Sequence, residues 1–243
     1  MKTLDQPKYV PKVSFLADEG ILKDYQERIK SCSKRAKKFL NIFTYDNGLI
    51  KGSNSFANVA LASLFPQEYR LALPSQVLHD SELNPEFFRG NYEDLGLVLR
   101  TNGDDSSKNN NHDAKKLYEQ LKKRGITPSE ENPVMISLRG LGLEADKSHY
   151  GLMHKLTDET EIVQAPELSY KNNERKFSRT DERGIPIFDK DGTRTFYARK
   201  DGLDGFCLWG LVLDSDWFWF WYWALDDSGA DGKVVVAKNY SKE

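Results

Sequence analysis

Hydrophobic positions along the chain follow two spacings, and each spacing predicts a kind of element. Between Ala17 and Phe43 the apolar residues Ile21, Leu22, Tyr25, Ile29, Cys32, Ala36, Phe39 and Leu40 recur at helical intervals, predicting a helix with one buried face. Residues 1–16, with Pro7 and Pro11, read as an extended arm ahead of it. Asp46-Asn47-Gly48 is a turn signal. After it, Ser53 or Asn54 can cap a helix that runs towards Leu64 and stops before Pro66. Tyr69-Arg70-Leu71 reads as a short strand, and Pro74 suits the first turn of a second helix ending near Asp80, where a backbone N–H would go unpaired anyway. Leu95 to Arg100 and Val134 to Leu138 are compact apolar runs of strand length, and Tyr150 to Leu156 and Glu161 to Ala165 are read the same way. The polar tract Thr101 to Asp113 reads as a loop, followed by a helix from Ala114 to Arg124 closed by Gly125. Ile185 to Ala198 predicts a hairpin turning at Asp191-Gly192.

The strongest pattern lies between Phe206 and Trp223, where all five tryptophans of the chain fall on odd positions: Trp209, Trp217, Trp219, Trp221 and Trp223. The even positions are Phe206, Leu208, Gly210, Val212, Asp214, Asp216, Phe218, Phe220 and Tyr222. Successive side chains of an extended segment point to opposite faces. Taken as one ribbon, the segment therefore has a uniform packing face of tryptophans and a heterogeneous face that ends in an aromatic row. Such a row, if exposed, marks a surface that binds something. Phe218, Phe220 and Tyr222 are the expected anchors, with Asp214 and Asp216 as polar contacts. The competing reading packs the same aromatics under the 101–113 loop or the N-terminal helix.

Composition narrows the function classes. The chain has 243 residues, enough for one compact domain with a large core, and its formal net charge of -2 draws it neither to nucleic acid nor to an anionic membrane. Lys34, Arg35, Lys37 and Lys38 form a basic run that reads as a solvated helix face. Cys32 and Cys207 are distant and lack metal or disulfide spacing, so two free thiols are expected. The N-terminus has no signal-peptide core, and Asp214 and Asp216 interrupt the only membrane-like run, so a cytoplasmic location without membrane insertion is the default. His79, His112, His149 and His154 fit no metal motif, and no nucleophile elbow or phosphate-binding glycine loop is present. Asp189 and Asp191 lack the remaining ligands of a calcium loop. The expectation is therefore a protein without metal, cofactor or catalytic residues.

Two motifs suggest a family. Tyr69 to Leu78, YRLALPSQVL, is similar to the strand-then-helix segment of the formylglycine-generating branch of the C-type-lectin fold, although Ala72 and Leu73 interrupt that branch's Arg-Leu-Pro run. The C-terminal arrangement adds a Gly-Leu-Asp-Gly lead-in at 202–205, the alternating stretch, and Gly-Lys-Val-Val-Val at 232–236. From about Gly48 to Ala237 the chain resembles the variable proteins of diversity-generating retroelements found in archaea and small-genome bacteria. In that family, asparagine codons of the AAC type are changed at their adenines. Phe, Leu, Gly, Val, Asp and Tyr all have codons reachable in this way and tryptophan does not, which matches the parity of the stretch; Asp227, Gly229, Ala230 and Asp231 fit too.

The resemblance implies an α+β domain of C-type-lectin fold, with irregular small sheets and two core helices. On this reading residues 48–243 form the domain, and residues 1–47 add an arm and helix packed on it. The even positions from Phe206 to Tyr222, with Asp227, Gly229, Ala230 and Asp231, would be the variable ligand-binding set, and the five tryptophans the scaffold. The implied molecule is a monomer that binds an unknown partner, a protein by preference, with surface display as the alternative location. Two other readings remain open: an oxidase of the formylglycine-generating type, for which Cys207 lacks a nearby partner cysteine, and a calcium-dependent lectin, for which the ligand triplet is missing.

Overall fold

The computed structural model describes residues 3–4, 13–102, 108–198, 207–214, 217–221 and 225–238; for Trp209, Asp214 and residues 217–221 it describes the backbone. The chain is α+β. Its N-terminal strands, β1 (Thr3–Leu4) and β2 (Val13–Leu16), lead into helix α1 (Ile21–Cys32). The single helix expected from Ala17 to Phe43 is broken at Ser33, whose backbone is extended and whose side chain caps a separate 3-10 stretch, Lys34–Asn41, by accepting from the Arg35 N–H. A serine gives the backbone a local alternative to continued helix, and here that alternative wins.

Next come the hairpin β3 (Thr44–Asp46) and β4 (Leu49–Lys51), turning through Asn47 and Gly48 at positive φ, and helix α2 (Ser55–Ala62). Asn54 caps α2 by accepting from the Ala57 N–H at 3.0 Å. β5 (Tyr69–Leu71) precedes α3 (Pro74–Leu83) and the short α4 (Pro85–Phe88). Then follow β6 (Tyr92–Leu99) and α5 (Asn109–Lys123), which Gly125 closes at φ 76°. Helix α5 thus takes in the asparagines expected in a loop.

The second half is mostly strand: β7 (Val134–Ser137), β8 (Gly142–Ala145), β9 (Leu152–Lys155), β10 (Ile162–Gln164), β11 (Arg175–Thr180), β12 (Pro186–Phe188) and β13 (Arg194–Tyr197). β14 (Leu208–Asp214), β15 (Trp217–Trp221) and β16 (Val235–Lys238) complete it. The central sheet runs β10-β7-β6-β14-β15-β13-β11-β12, and β1-β2-β16-β5 form a second sheet.

The hairpin expected from Ile185 to Ala198 does not form. β12 and β13 each pair with β11, which lies between them, so the true hairpin is β11–β12. Gly192 serves the crossing: a Cβ there would come within 2.4 Å of the Phe177 backbone nitrogen.

The central sheet separates two cores. Leu97, Leu99, Ile136 and Leu208 face a core built with Tyr25 and Ile29 of α1, Phe56 of α2 and Leu117 of α5. Leu95, Val98, Leu211, Leu213, Phe177 and Phe196 face a second core with Phe15 of β2 and Val77 of α3. The N-terminal residues are therefore part of this packing: β2 pairs with β16, and Leu16 and Tyr25 are fully buried in the first core.

Candidate ligand-binding surface

β14 and β15 form a hairpin in which Asp214 pairs with Trp217, Leu213 with Phe218, Val212 with Trp219, Leu211 with Phe220 and Gly210 with Trp221. Directly opposed residues of an antiparallel pair lie on the same face. Each of these pairs joins an even position to an odd one, so the face assignment inverts at the turn. Positions 218 and 220 share the face of Leu211 and Leu213, which belong to the second core. β13 agrees, since Phe196, also in that core, is the register partner of Phe218. Positions 217, 219 and 221 share the other face with Val212 and, across β14, with Asp94 and Tyr92 of β6. The expectation that all odd positions share one face is corrected: it treats as one ribbon what is two strands joined by a two-residue turn at 215–216.

The remaining expected site residues divide in three. Leu208 and Val212 are 0% and 6% exposed, and Gly210 is also buried, because β14 is a central strand with β6 on one side and β15 on the other. These three are corrected from open surface to interior. Asp227, Ala230 and Asp231 are exposed and Gly229 is half-buried, on the loop that follows the hairpin. Phe206, Asp216, Tyr222 and Trp223 lie outside the described residues, while Asp214, Trp209, Phe218 and Phe220 are placed by backbone register alone. Trp209 pairs with Val98, a second-core residue, so its position is on the core face.

Both ends of the hairpin are held by residues that the sequence reading did not single out. Asn110, at the start of α5, donates to the Leu208 carbonyl at 3.2 Å and accepts from the Leu225 N–H at 3.3 Å, so one buried amide clasps the two ends together. Tyr150 donates to the same Asn110 oxygen and accepts from the Leu225 N–H at 3.3 Å. Asn111 accepts from the Cys207 N–H at 2.8 Å. Asn54 donates to the Leu225 and Asp227 carbonyls at 2.6 and 3.1 Å while its oxygen caps α2. The Tyr92 hydroxyl accepts from the Gly229 N–H at 2.5 Å and donates to the Ser53 carbonyl.

Nearly all these bonds end on main-chain atoms of the held segment. The Lys38–Asp226 ion pair at 2.5 Å and the contacts of Ser228 with Ser53 and Tyr92 involve side chains of the segment. The Asn-Asn-Asn run before an amphipathic helix was the available signal, since asparagine is favoured where backbone groups need a side-chain partner.

Asp94 sits where the first core ends. Its N–H donates to the Ser53 hydroxyl at 3.0 Å, and its carboxyl, partly open but closely surrounded, is raised to about 6 by burial against an opposing hydrogen bond from Ser53. The Tyr92 hydroxyl is raised to about 12, chiefly by burial and then by the charge of Asp94. Asp227 is shifted upward by burial and by Asp226 beside it. Burial, then Lys51, pushes Lys233 down.

Elsewhere the densest polar contact is His154 Nδ1 with Asp113 Oδ2 at 2.5 Å, stacked on Phe56. At 0% and 1% exposure that pair has no open route to a substrate. Among the described residues no group of three His, Cys, Asp or Glu could hold a metal, and no helix is long and apolar enough to cross a membrane. Cys32 and Cys207 are free thiols.

Comparison with family models, with curated proteins and with solved structures finds no match.

Proposed function

We propose that the chain is a binding protein in which a fixed scaffold presents an exchangeable hairpin and loop to a partner. The observation that carries this reading is the grip of Asn110, Asn111, Asn54 and Tyr150 on main-chain atoms at both ends of the segment. Main-chain atoms are common to every sequence, so such a mount holds its segment whatever side chains the middle carries. A scaffold that must accept a changing insert needs this property, and one serving a single packed hairpin does not.

Within this reading the presented surface consists of Asp214, the positions of Trp217, Trp219 and Trp221, and the loop residues Asp227, Gly229, Ala230 and Asp231. Phe218 and Phe220 pass to the core side. Aromatic residues suit such a surface, because they offer large contact area for few lost rotamers. The resemblance to retroelement variable proteins and to the C-type-lectin fold is retained as part of the proposal. Under it the tryptophans are constant anchors and the aspartates around them are the changing positions.

Sequencing the DNA that follows the coding region tests the proposal. A near-copy of the segment that differs only at adenines, beside a reverse-transcriptase gene, is the expected result. Flanking DNA with no such repeat in any strain carrying the gene would overturn the diversification reading.

A further inference from the structure

Pairing in the central sheet sets up a second property of the presented face, which rests on the binding reading above. Successive rows across the sheet join Tyr92, Asp214 and Trp217, then Asp94, Val212 and Trp219, and then Gly210 and Trp221. One face therefore alternates carboxylates with indole positions. Asp227 and Asp231 lie on the adjoining loop, which Tyr92 fastens to β6 through its hydroxyl bond to Gly229.

We propose that this face binds a lysine- or arginine-bearing segment of a protein partner, with the cationic group seated against Asp94 and the neighbouring tryptophan positions. The first support is an uncompensated charge. Among the described residues no cation forms an ion pair with Asp94, Asp227 or Asp231. The nearby lysines are used elsewhere: Lys38 pairs with Asp226, Lys51 with Asp46, Lys176 donates to Thr195, and Lys233 is buried against the Asp231 and Gly232 carbonyls. A closely surrounded carboxylate whose recorded side-chain partner is a hydroxyl is costly when ionised, and a ligand cation offsets that cost.

Space is the second support. Gly210 is the residue next to Asp94 across the strands, and a Cβ added there would lie 3.8 Å from Asp94 Oδ1, so the glycine leaves that side of the carboxylate without a covering side chain. The third is chemical: lysine and arginine cations are attracted to indole faces as well as to carboxylates, so a surface alternating the two favours a cation over an anion or a neutral group on both counts.

Panning a displayed library of random twelve-residue peptides on the full chain tests this, with Asp94→Asn and Asp231→Asn variants compared for affinity and for thermal melting. Enriched peptides are expected to carry lysine or arginine and to bind Asp94→Asn about tenfold more weakly, the size of one cation–aromatic and charge contact. Replacing their lysines by glutamine should cause the same loss. Enrichment of peptides without basic residues, or undiminished binding to a folded Asp94→Asn protein, would overturn the inference and leave the binding reading standing. No enrichment of any peptide would count against both. Should Asp94→Asn fail to fold, the exposed Asp231→Asn change decides: about a threefold loss for basic peptides supports the inference, and no loss overturns it.

Discussion

Asn110 shows how much a single buried amide can hold. It bonds the Leu208 carbonyl, the Leu225 N–H and the Tyr150 hydroxyl, three groups with little access to water. Leaving a buried polar group unpaired costs about 1–3 kcal/mol, so Asn110→Ala should lower stability by about 3 kcal/mol in urea denaturation. A similar loss from Lys108→Ala, at the helix edge, would contradict a specific role. Asp94 gives a pH signature. Its carboxyl binds a proton more tightly in the folded chain, near 6, than at its ordinary 3.8. The stability it contributes is therefore full below 3.8 and is lost as pH rises through about 6. Asp94→Asn, which stays neutral, should melt higher than the parent at pH 8, with the difference vanishing by pH 4. An unchanged difference across that range would remove the shift. Neither residue was legible as a site residue, because both act through contacts with chain far away in sequence.

At the scale of elements, what the sequence revealed was local. The Asn54 cap, Pro74 opening α3, the Asn47-Gly48 turn and Gly125 closing α5 each depend on neighbours a few residues away, and each stands where the pattern put it. Pairing depends on partners far along the chain and was misread twice. Asp191-Gly192 has hairpin chemistry, yet β11 lies between the two strands it connects. Asp214-Ser215-Asp216 interrupts an apolar run with turn-forming residues, and there the ribbon folds back and inverts its parity. The crossing over β11 makes a separate prediction. Gly192→Ala would place a methyl within 2.4 Å of the Phe177 nitrogen, and it should cost about 2 kcal/mol or more by thermal melting. A neutral effect would mean the connection does not pass so close to β11.

Across the whole molecule, one sheet divides two cores, and the chain's two ends meet in a second sheet where β16 lies between β2 and β5. The first forty-seven residues are not a decoration on this arrangement. Phe15 stacks on Phe87 with centroids 4.2 Å apart and fills the second core, while α1 fills the first. Phe15→Ala should therefore lower a single, whole-molecule unfolding transition by about 3–5 kcal/mol. Two transitions, with only one of them moved, would mean that the arm folds apart from the rest. The α+β class was legible in the sequence because it follows from element types. Which face of the C-terminal hairpin meets the core was not, because it depends on a turn hidden inside an apolar run.

The most direct measurement is the unfolding free energy of five single alanine variants across residues 217–221. The account predicts an alternating profile, with Phe218→Ala and Phe220→Ala each losing about 3 kcal/mol and the three tryptophan positions about 1 kcal/mol or less. The opposite alternation, with the tryptophans carrying the stability, would contradict it.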